Sequence, residues 1–278
     1  MKSVDDFKEK GFHIEKNVFE RKEMEDLFFT FYDIAYSIAK REGLSLNDFI
    51  EMESLNYPNN IKDLDKILMD LFYADKNLIG EVYDTFSYSM AFMRFLGNEK
   101  VESVTKELLE LSSQSALYGW TNRVRIDPPH DERRTYGWHQ EIFYTMPNTR
   151  FLQTWCPILR DTTKENGTIN IKAGSHKEGV AASTWNEEED KAIQITVDSK
   201  LTNKYPSTEL EMKVGDILFF DGHLFHKSGK NTTKSEIRFS LVGMWNDVSH
   251  KGFKAPIPDF KFRTISSKEN FEKHFKSS

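Results

Sequence analysis

A chain of 278 residues with 38% hydrophobic and 13% aromatic content can bury enough apolar surface for one large domain or two small ones. Lys and Arg number 38 against 44 Asp and Glu, a formal net charge of −6 spread along the whole length, which offers no basic footprint for nucleic acid or anionic lipid. The only cysteine, Cys156, excludes an intramolecular disulfide and any thiolate cluster, so a metal would have to be held by nitrogen and oxygen.

The opening stretch MKSVDDFKEKGF lacks the apolar core of a secretory signal, and no run approaches the ~20 apolar residues of a membrane span. A cytoplasmic location with no membrane partner is the expectation. In residues 20–41, Leu27, Phe28, Phe31, Ile34, Ala35 and Ile38 recur at three- and four-residue spacing, which predicts a helix stopped by Gly43. Further helices are predicted in 45–53, where Ser45 and Asp48 have the spacing of a capping pair, and over about 61–75, 77–95 and 98–112. From Leu117 the texture changes to short β-rich runs, LYGWTNRVRI, FLQTWCPIL, GTINIK, KAIQITV, DILFFDG and EIRFSLVGMW, separated by polar turns. Short, numerous strands suit an antiparallel jelly roll better than a parallel sheet with crossover helices. The expected architecture is therefore mainly β with flanking helices, as one domain. Residues 1–115 form a mainly helical buttress, 116–248 a jelly-roll core, and 249–278 a tail packing back on the helices.

Within TYGWHQEIFYT, residues 135–145, His139 and Glu141 sit one residue apart in what reads as a buried strand. Residues i and i+2 of a strand share a face about 7 Å apart at the backbone, so an imidazole and a carboxylate would aim at one point. Burying both beside Trp138, Ile142, Phe143 and Tyr144 is costly unless a partner such as a metal ion satisfies them. A distant third ligand is available in DGHLFHKSGKNTTKSEIRFSL, as either His223 or His226. Two histidines and one carboxylate occupy one face of an octahedral ion and leave three positions open, the arrangement of non-haem Fe(II) oxygenases. Two open positions suit a chelating 2-oxo acid and the last suits dioxygen. The far carboxylate of 2-oxoglutarate needs a planar guanidinium, and Arg238, twelve residues after His226 on a predicted strand, is placed for it.

The order WHQE, WCPILRDTTKENGTINIKAGSHKEG, GDILFFDGHLFHKSGKN and RFSL resembles the phytanoyl-CoA dioxygenase family of Fe(II)- and 2-oxoglutarate-dependent oxygenases, and FKEKGFHIEKNVFERKEMEDL is similar to that family's opening segment. The resemblance implies a double-stranded β-helix, a jelly-roll (cupin-like) variant. It implies iron held by His139, Glu141 and His226, with 2-oxoglutarate anchored by Arg238. The HKSGKN context favours His226 over His223, which is then a turn or supporting residue. One departure is that the family usually carries aspartate where this chain has Glu141, one methylene longer; glutamate is known there in some related oxygenases. Related halogenases have a small residue at that position, so a retained carboxylate argues for hydroxylation, desaturation or a related oxidation.

Ser228 resembles a position that hydrogen-bonds 2-oxoglutarate in relatives, although serine in a turn is commonly a turn residue. Arg123 and Arg125 share a face, and Arg125 is taken as a cofactor contact if that face is interior. Trp155 and Gln153 share a face and are candidates for the pocket wall, with core packing the alternative for the tryptophan. His176 reads as a loop-holding residue, Asn166 and Gly167 as a turn, and His130 as a lid residue or an exposed histidine. The expected activity is oxidation of an unactivated carbon in a small metabolite, consuming dioxygen and releasing succinate and carbon dioxide. The alternatives are a cupin-like metal-dependent isomerase or epimerase, and a non-catalytic metal-binding jelly roll. Substrate identity and oligomeric state are not legible.

Overall fold

The computed structural model describes residues 2–45, 49–120, 122–133, 135–145, 149–189 and 191–255. The helical third begins with α1 (Lys2–Lys10), then a strand β1 (Phe12–Glu15), then α2 (Arg21–Arg41), α3 (Ile61–Ala74), α4 (Lys76–Ser87), α5 (Met90–Leu96) and α6 (Glu99–Leu108). In α2 the three-and-four spacing becomes one buried face of Met24, Leu27, Phe28, Phe31, Ala35 and Ile38. A capping box of Glu20 and Glu23 starts that helix. The helix expected over 77–95 is two, because Ser89 leaves the helical path and its hydroxyl accepts from Phe92 N to open α5. The expected helix over 45–53 is a single 3₁₀ turn, Met52–Ser54, in its described part. The Ser45–Asp48 capping pair extends outside the described residues, as does most of the tail. Of the described tail, Phe253 sets its ring edge-on to Tyr118 at 5.5 Å, on the sheet rather than the helices.

The strands that follow are β2 (Leu117–Gly119), β3 (Arg123–Asp127), β4 (Phe151–Pro157), β5 (Asn170–Ile171), β6 (Ser183–Asn186) and β7 (Gln194–Val197). After a short α7 (Ser199–Thr202) come β8 (Thr208–Glu209), β9 (Ile217–Asp221), β10 (His226–Lys227) and β11 (Arg238–Asp247). All pairings are antiparallel. The main sheet runs β1-β9-β4-β11-β2, with β3 pairing the other half of the long β11. A smaller sheet, β10-β5-β8, faces it, and β6-β7 form a separate hairpin. This is the jelly-roll arrangement with helices on the outer face, and β1 shows that the N-terminal third also supplies an edge strand.

Period-two alternation separates core from site. On β11, Phe239 and Leu241 join the apolar cluster that contains α2, while Arg238 and Val242 line the cavity on the other side. On β3, Val124 joins that cluster, whereas Arg123, Arg125 and Asp127 line the cavity. Phe31 of α2 stacks on Phe86 at 3.6 Å between centroids and meets Phe239 at 5.5 Å, joining the helices to the back of the sheet. The sheet is thus buried on both faces, apolar behind and polar in front.

Candidate metal centre and cosubstrate pocket

Between the two sheets lies a cavity of about 490 Å³. His139, Glu141, His226, Arg238, Ser228, Arg125 and Trp155 all line it, as does Gln153. His223 does not; its Nδ1 is 2.9 Å from Asp221 Oδ1 at the turn after β9. His176 bonds through Nε2 to the Lys8 carbonyl, and His130 is exposed.

His139 and His226 are direct partners across an isolated antiparallel bridge, each amide donating to the other's carbonyl at 3.0 and 3.1 Å. The strand expected through Glu141 does not continue. Glu141 opens a 3₁₀ turn, Glu141–Tyr144, because the amides of Glu141 and Ile142 both donate to one carbonyl, that of Gly222, instead of to a ladder of successive partners. Gln140 between them remains extended, which is enough to bring the His139 and Glu141 side chains to the same side. The Gln140 amide is locked on the other side: Nε2 donates to the carbonyls of Gly179 and His223, and Oε1 accepts from Ala181 N.

One donor atom from each of His139, Glu141 and His226 lies within 4.8 Å of the other two. Each imidazole has Nδ1 against a backbone carbonyl, Gly137 O at 2.7 Å and Leu224 O at 3.0 Å. A carbonyl only accepts, so Nδ1 carries the proton and the Nε2 lone pair is left facing Glu141. The Nε2 atoms stand 3.7 and 3.5 Å from Glu141 Oε2, at or beyond hydrogen-bond length. Three converging acceptors in a buried place are the donor set of a divalent cation, so the residues fit an iron ion. Burial raises the pKa of Glu141, but imidazoles that carry a proton on Nε2 outweigh it and hold the carboxyl below the usual range, a place a cation takes when both imidazoles are neutral. Burial and the neighbouring His139 push His226 down, favouring the neutral, ligating form.

At the other end Arg238 is buried on β11 opposite Asp127 of β3. Its Nη2 and Nε donate to Asp127 Oδ2 at 2.8 and 3.2 Å, and Nη1 donates to Gly229 O at 3.1 Å. Of five N–H groups three are engaged, leaving one on each terminal nitrogen. Arg125 Nη2 meets the second oxygen of Asp127 at 2.8 Å. Burial disfavours the charge on Asp127, yet Arg125 and Arg238 together hold its pKa well below the usual carboxylate range. Two guanidiniums on one carboxylate leave a net single positive charge, which suits one more carboxylate.

Asp127 is not among the expected site residues, because the run LYGWTNRVRI ends at Ile126 and two prolines follow; the period-two rule that joined Arg123 to Arg125 extends to it. Tyr136 and Tyr144 were also missed, although both lie in the stretch around His139. Their rings approach His139 at 5.3 and 5.7 Å. Tyr144, pushed up to about 12 by burial, accepts from Ile195 N and so ties the β6–β7 hairpin to the site.

The phytanoyl-CoA dioxygenase (PhyH) family model matches residues 7–240. Over 126 residues the chain is 30% identical to a 1-deoxypentalenic acid 11-beta-hydroxylase of Streptomyces arenae, covering 43% of this chain and 44% of that protein. The match therefore spans less than half of the hydroxylase's length. Dioxygenase olcK of Penicillium canescens is 24% identical over 230 residues, 74% of this chain and 68% of that one. Among solved structures, the epimerase SnoN in complex with Fe3+, alpha ketoglutarate and nogalamycin RO superposes at a TM-score of 0.58 with 15% identity, over 93% of this chain and 90% of that one. EvdO2 from Micromonospora carbonacea var. aurantiaca, complexed with 2-oxoglutarate, gives 0.54 with 17% identity over 88% and 90%. These two likenesses establish the shared fold. Since the family model runs over residues 7–240, from the helical layer through the jelly roll to Arg238 at the start of β11, the chain belongs to the phytanoyl-CoA dioxygenase family.

Proposed function

We propose that this protein is an Fe(II)- and 2-oxoglutarate-dependent oxygenase that hydroxylates an unactivated carbon of a small molecule. The observation that carries the reading is the convergence of His139, Glu141 and His226 in the same cavity as a buried guanidinium with N–H groups to spare. His139, Glu141 and His226 would hold the iron, and Arg238 would take the distal carboxylate of 2-oxoglutarate, with Ser228, Arg125 and Trp155 around the cosubstrate. When bound, iron, 2-oxoglutarate and dioxygen supply the oxidising power for C–H hydroxylation, the cosubstrate leaving as succinate and carbon dioxide.

The protein's own part is orientation and exclusion of water. The two Nδ1–H···O=C bonds fix the imidazole tautomers and aim Nε2 inward. Asp127 holds Arg238 in place, so its remaining N–H groups present a fork rather than a point charge. Tyr136 and Tyr144 cover the His139 side of the cavity. Alpha-ketoglutarate dependence is named for an epimerase and a carbocyclase among the neighbours of like fold, so cosubstrate use and the fate of the substrate are separate questions. Hydroxylation is proposed because a carboxylate completes the donor set and a relative is named a hydroxylase.

We further propose a single domain over residues 1–278, with a helical buttress over 1–115, a catalytic jelly roll over 116–248 and a tail over 249–278. The apolar cluster shared by the helices and the back of the main sheet supports this. No helix among the described residues is long and apolar enough to cross a membrane. A reducing, cytoplasmic location fits the lone buried thiol of Cys156, whose pKa burial pushes up. The test is a small-molecule screen reading succinate: wild type should release it in response to a substrate, and His139→Ala and His226→Ala should fall to background. Substantial substrate-dependent succinate from either variant would overturn the ligand assignment.

A further inference from the structure

One polar group in the cavity has no place in the scheme above. Gln153 is 4% exposed on β4, lines the cavity, and its Oε1 has no hydrogen-bond partner in the protein. Buried side-chain oxygens are rarely left so, because desolvation without a replacement hydrogen bond is unfavourable. Its neighbours on the cavity wall are apolar: Phe220 lies directly opposite on β9, and Trp155 and Val242 form the next pair along. Phe220 also sets its ring against that of His226 at 4.8 Å, so Gln153 belongs to the metal end. Arg238 is six residues from Met244, the β11 partner of Gln153, roughly 20 Å along the strand.

We infer that Gln153 is a specificity-determining residue that accepts a hydrogen bond from a hydroxyl or N–H group of the substrate, next to the carbon that reacts. The inference rests on the oxygenase reading. Bound 2-oxoglutarate presents only acceptor oxygens, carboxylate and keto, so it cannot satisfy Oε1. The prime substrate must bring the donor. Oε1 is closed to solvent where it stands and no hydrogen bond holds it there, so a substrate donor that enters the cavity draws the amide round to face it. A lone acceptor in an apolar wall discriminates strongly, because an analogue lacking the donor leaves it desolvated and unpaired. The class that fits is a compact molecule that is apolar around the reacting carbon and carries one hydroxyl or N–H close to it.

The test compares wild type with Gln153→Met, which keeps length and volume, and Gln153→Glu, which keeps the acceptor. Three quantities are measured: melting of the metal-free protein, the 2-oxoglutarate midpoint of the anaerobic Fe(II) absorption band, and kcat/KM from succinate release with matched alicyclic compounds differing by one hydroxyl. Wild type should prefer the hydroxyl member by about a hundredfold or more, and the preference should shrink to about threefold in Gln153→Met and persist in Gln153→Glu. Gln153→Met should melt no lower than wild type and keep the midpoint unchanged. A clear fall in melting temperature would make Gln153 structural, and a shifted midpoint would make it a cosubstrate contact; either overturns the inference. So does a preference that survives in Gln153→Met, or a wild type with no preference in any pair. Failure of wild type to form the band at all would instead refute the oxygenase reading on which the inference stands.

Discussion

The two ends of the cavity are built differently. The arginine end stands on regular sheet: Arg238 and Asp127 are register partners on β11 and β3, with β11 paired to β3 and β2 on one side and, from Ser240 onward, to β4 on the other. The metal end is pieced together from a two-residue strand, an isolated bridge and a 3₁₀ turn. Regular ladders make the first end rigid whether or not anything is bound. At the second, three acceptor atoms face one another, so a cation held there would contribute to the geometry as well as being held by it. Evolving new substrates on such a fold is easier at the loosely built end, where side chains change without breaking a ladder.

Substitutions should separate the two. The largest effect on stability is expected from Asp127→Asn, which leaves the buried Arg238 and the half-buried Arg125 short of a counter-charge and should cost about 3 kcal/mol in denaturant unfolding. The effect depends on pH with a definite sign. The folded pKa of Asp127 is depressed below the unfolded value of about 3.9, so its contribution is complete above that value and lost as pH falls through the folded one. The stability gap between wild type and Asp127→Asn should therefore be flat from neutral pH down to about 5 and narrow below about 4. A gap that widened in acid would contradict the assignment.

Arg238→Lys keeps the charge and loses the fork. It should raise the 2-oxoglutarate requirement roughly tenfold to a hundredfold, measured as KM, with iron affinity untouched. An unchanged requirement would remove Arg238 from cosubstrate binding. The reverse pattern is expected at the metal end from Gly222→Ala. A Cβ there would run into the Phe151 ring, and the Gly222 carbonyl positions both Glu141 N and Ile142 N. Iron affinity, measured by equilibrium titration, should fall roughly tenfold to a hundredfold with the folded sheet intact. Smallest is the effect of adding Fe(II) anaerobically to wild type: at about five times Kd it should stabilise by about 1.1 kcal/mol, an upward melting shift that Gly222→Ala reduces and Arg238→Lys does not.

How much of this was legible in the sequence follows the same division. The strands of the arginine end carry period-two patterns, so LYGWTNRVRI and EIRFSLVGMW were readable as strands and Arg238 as facing the site, while the pattern put Arg123 and Arg125 on one face without saying whether that face is interior. Asp127 escaped because the two prolines after it read as a loop boundary, although its side chain is still in register. At the metal end the pair His139 and Glu141 was found with the wrong local structure. A strand and a single extended residue both put i and i+2 on one side, so the ligand pair survives the error. The partnership of His139 with His226 and the separation of α4 from α5 depend on long-range bridging and a single serine cap, which no local pattern encodes. Gln153 was noticed only as a neighbour of Trp155; its lack of a partner is a property of the assembled sheets.

The account stands on one centre in which His139, Glu141 and His226 hold iron while Arg238 receives the far end of the keto acid. The most direct measurement is an anaerobic titration of the purified protein with Fe(II) and 2-oxoglutarate, followed by visible absorption. A weak band that needs both components, disappears in His226→Ala and requires more 2-oxoglutarate in Arg238→Lys is the predicted result. A protein that gives no such band, or one that His226→Ala leaves intact, would contradict it.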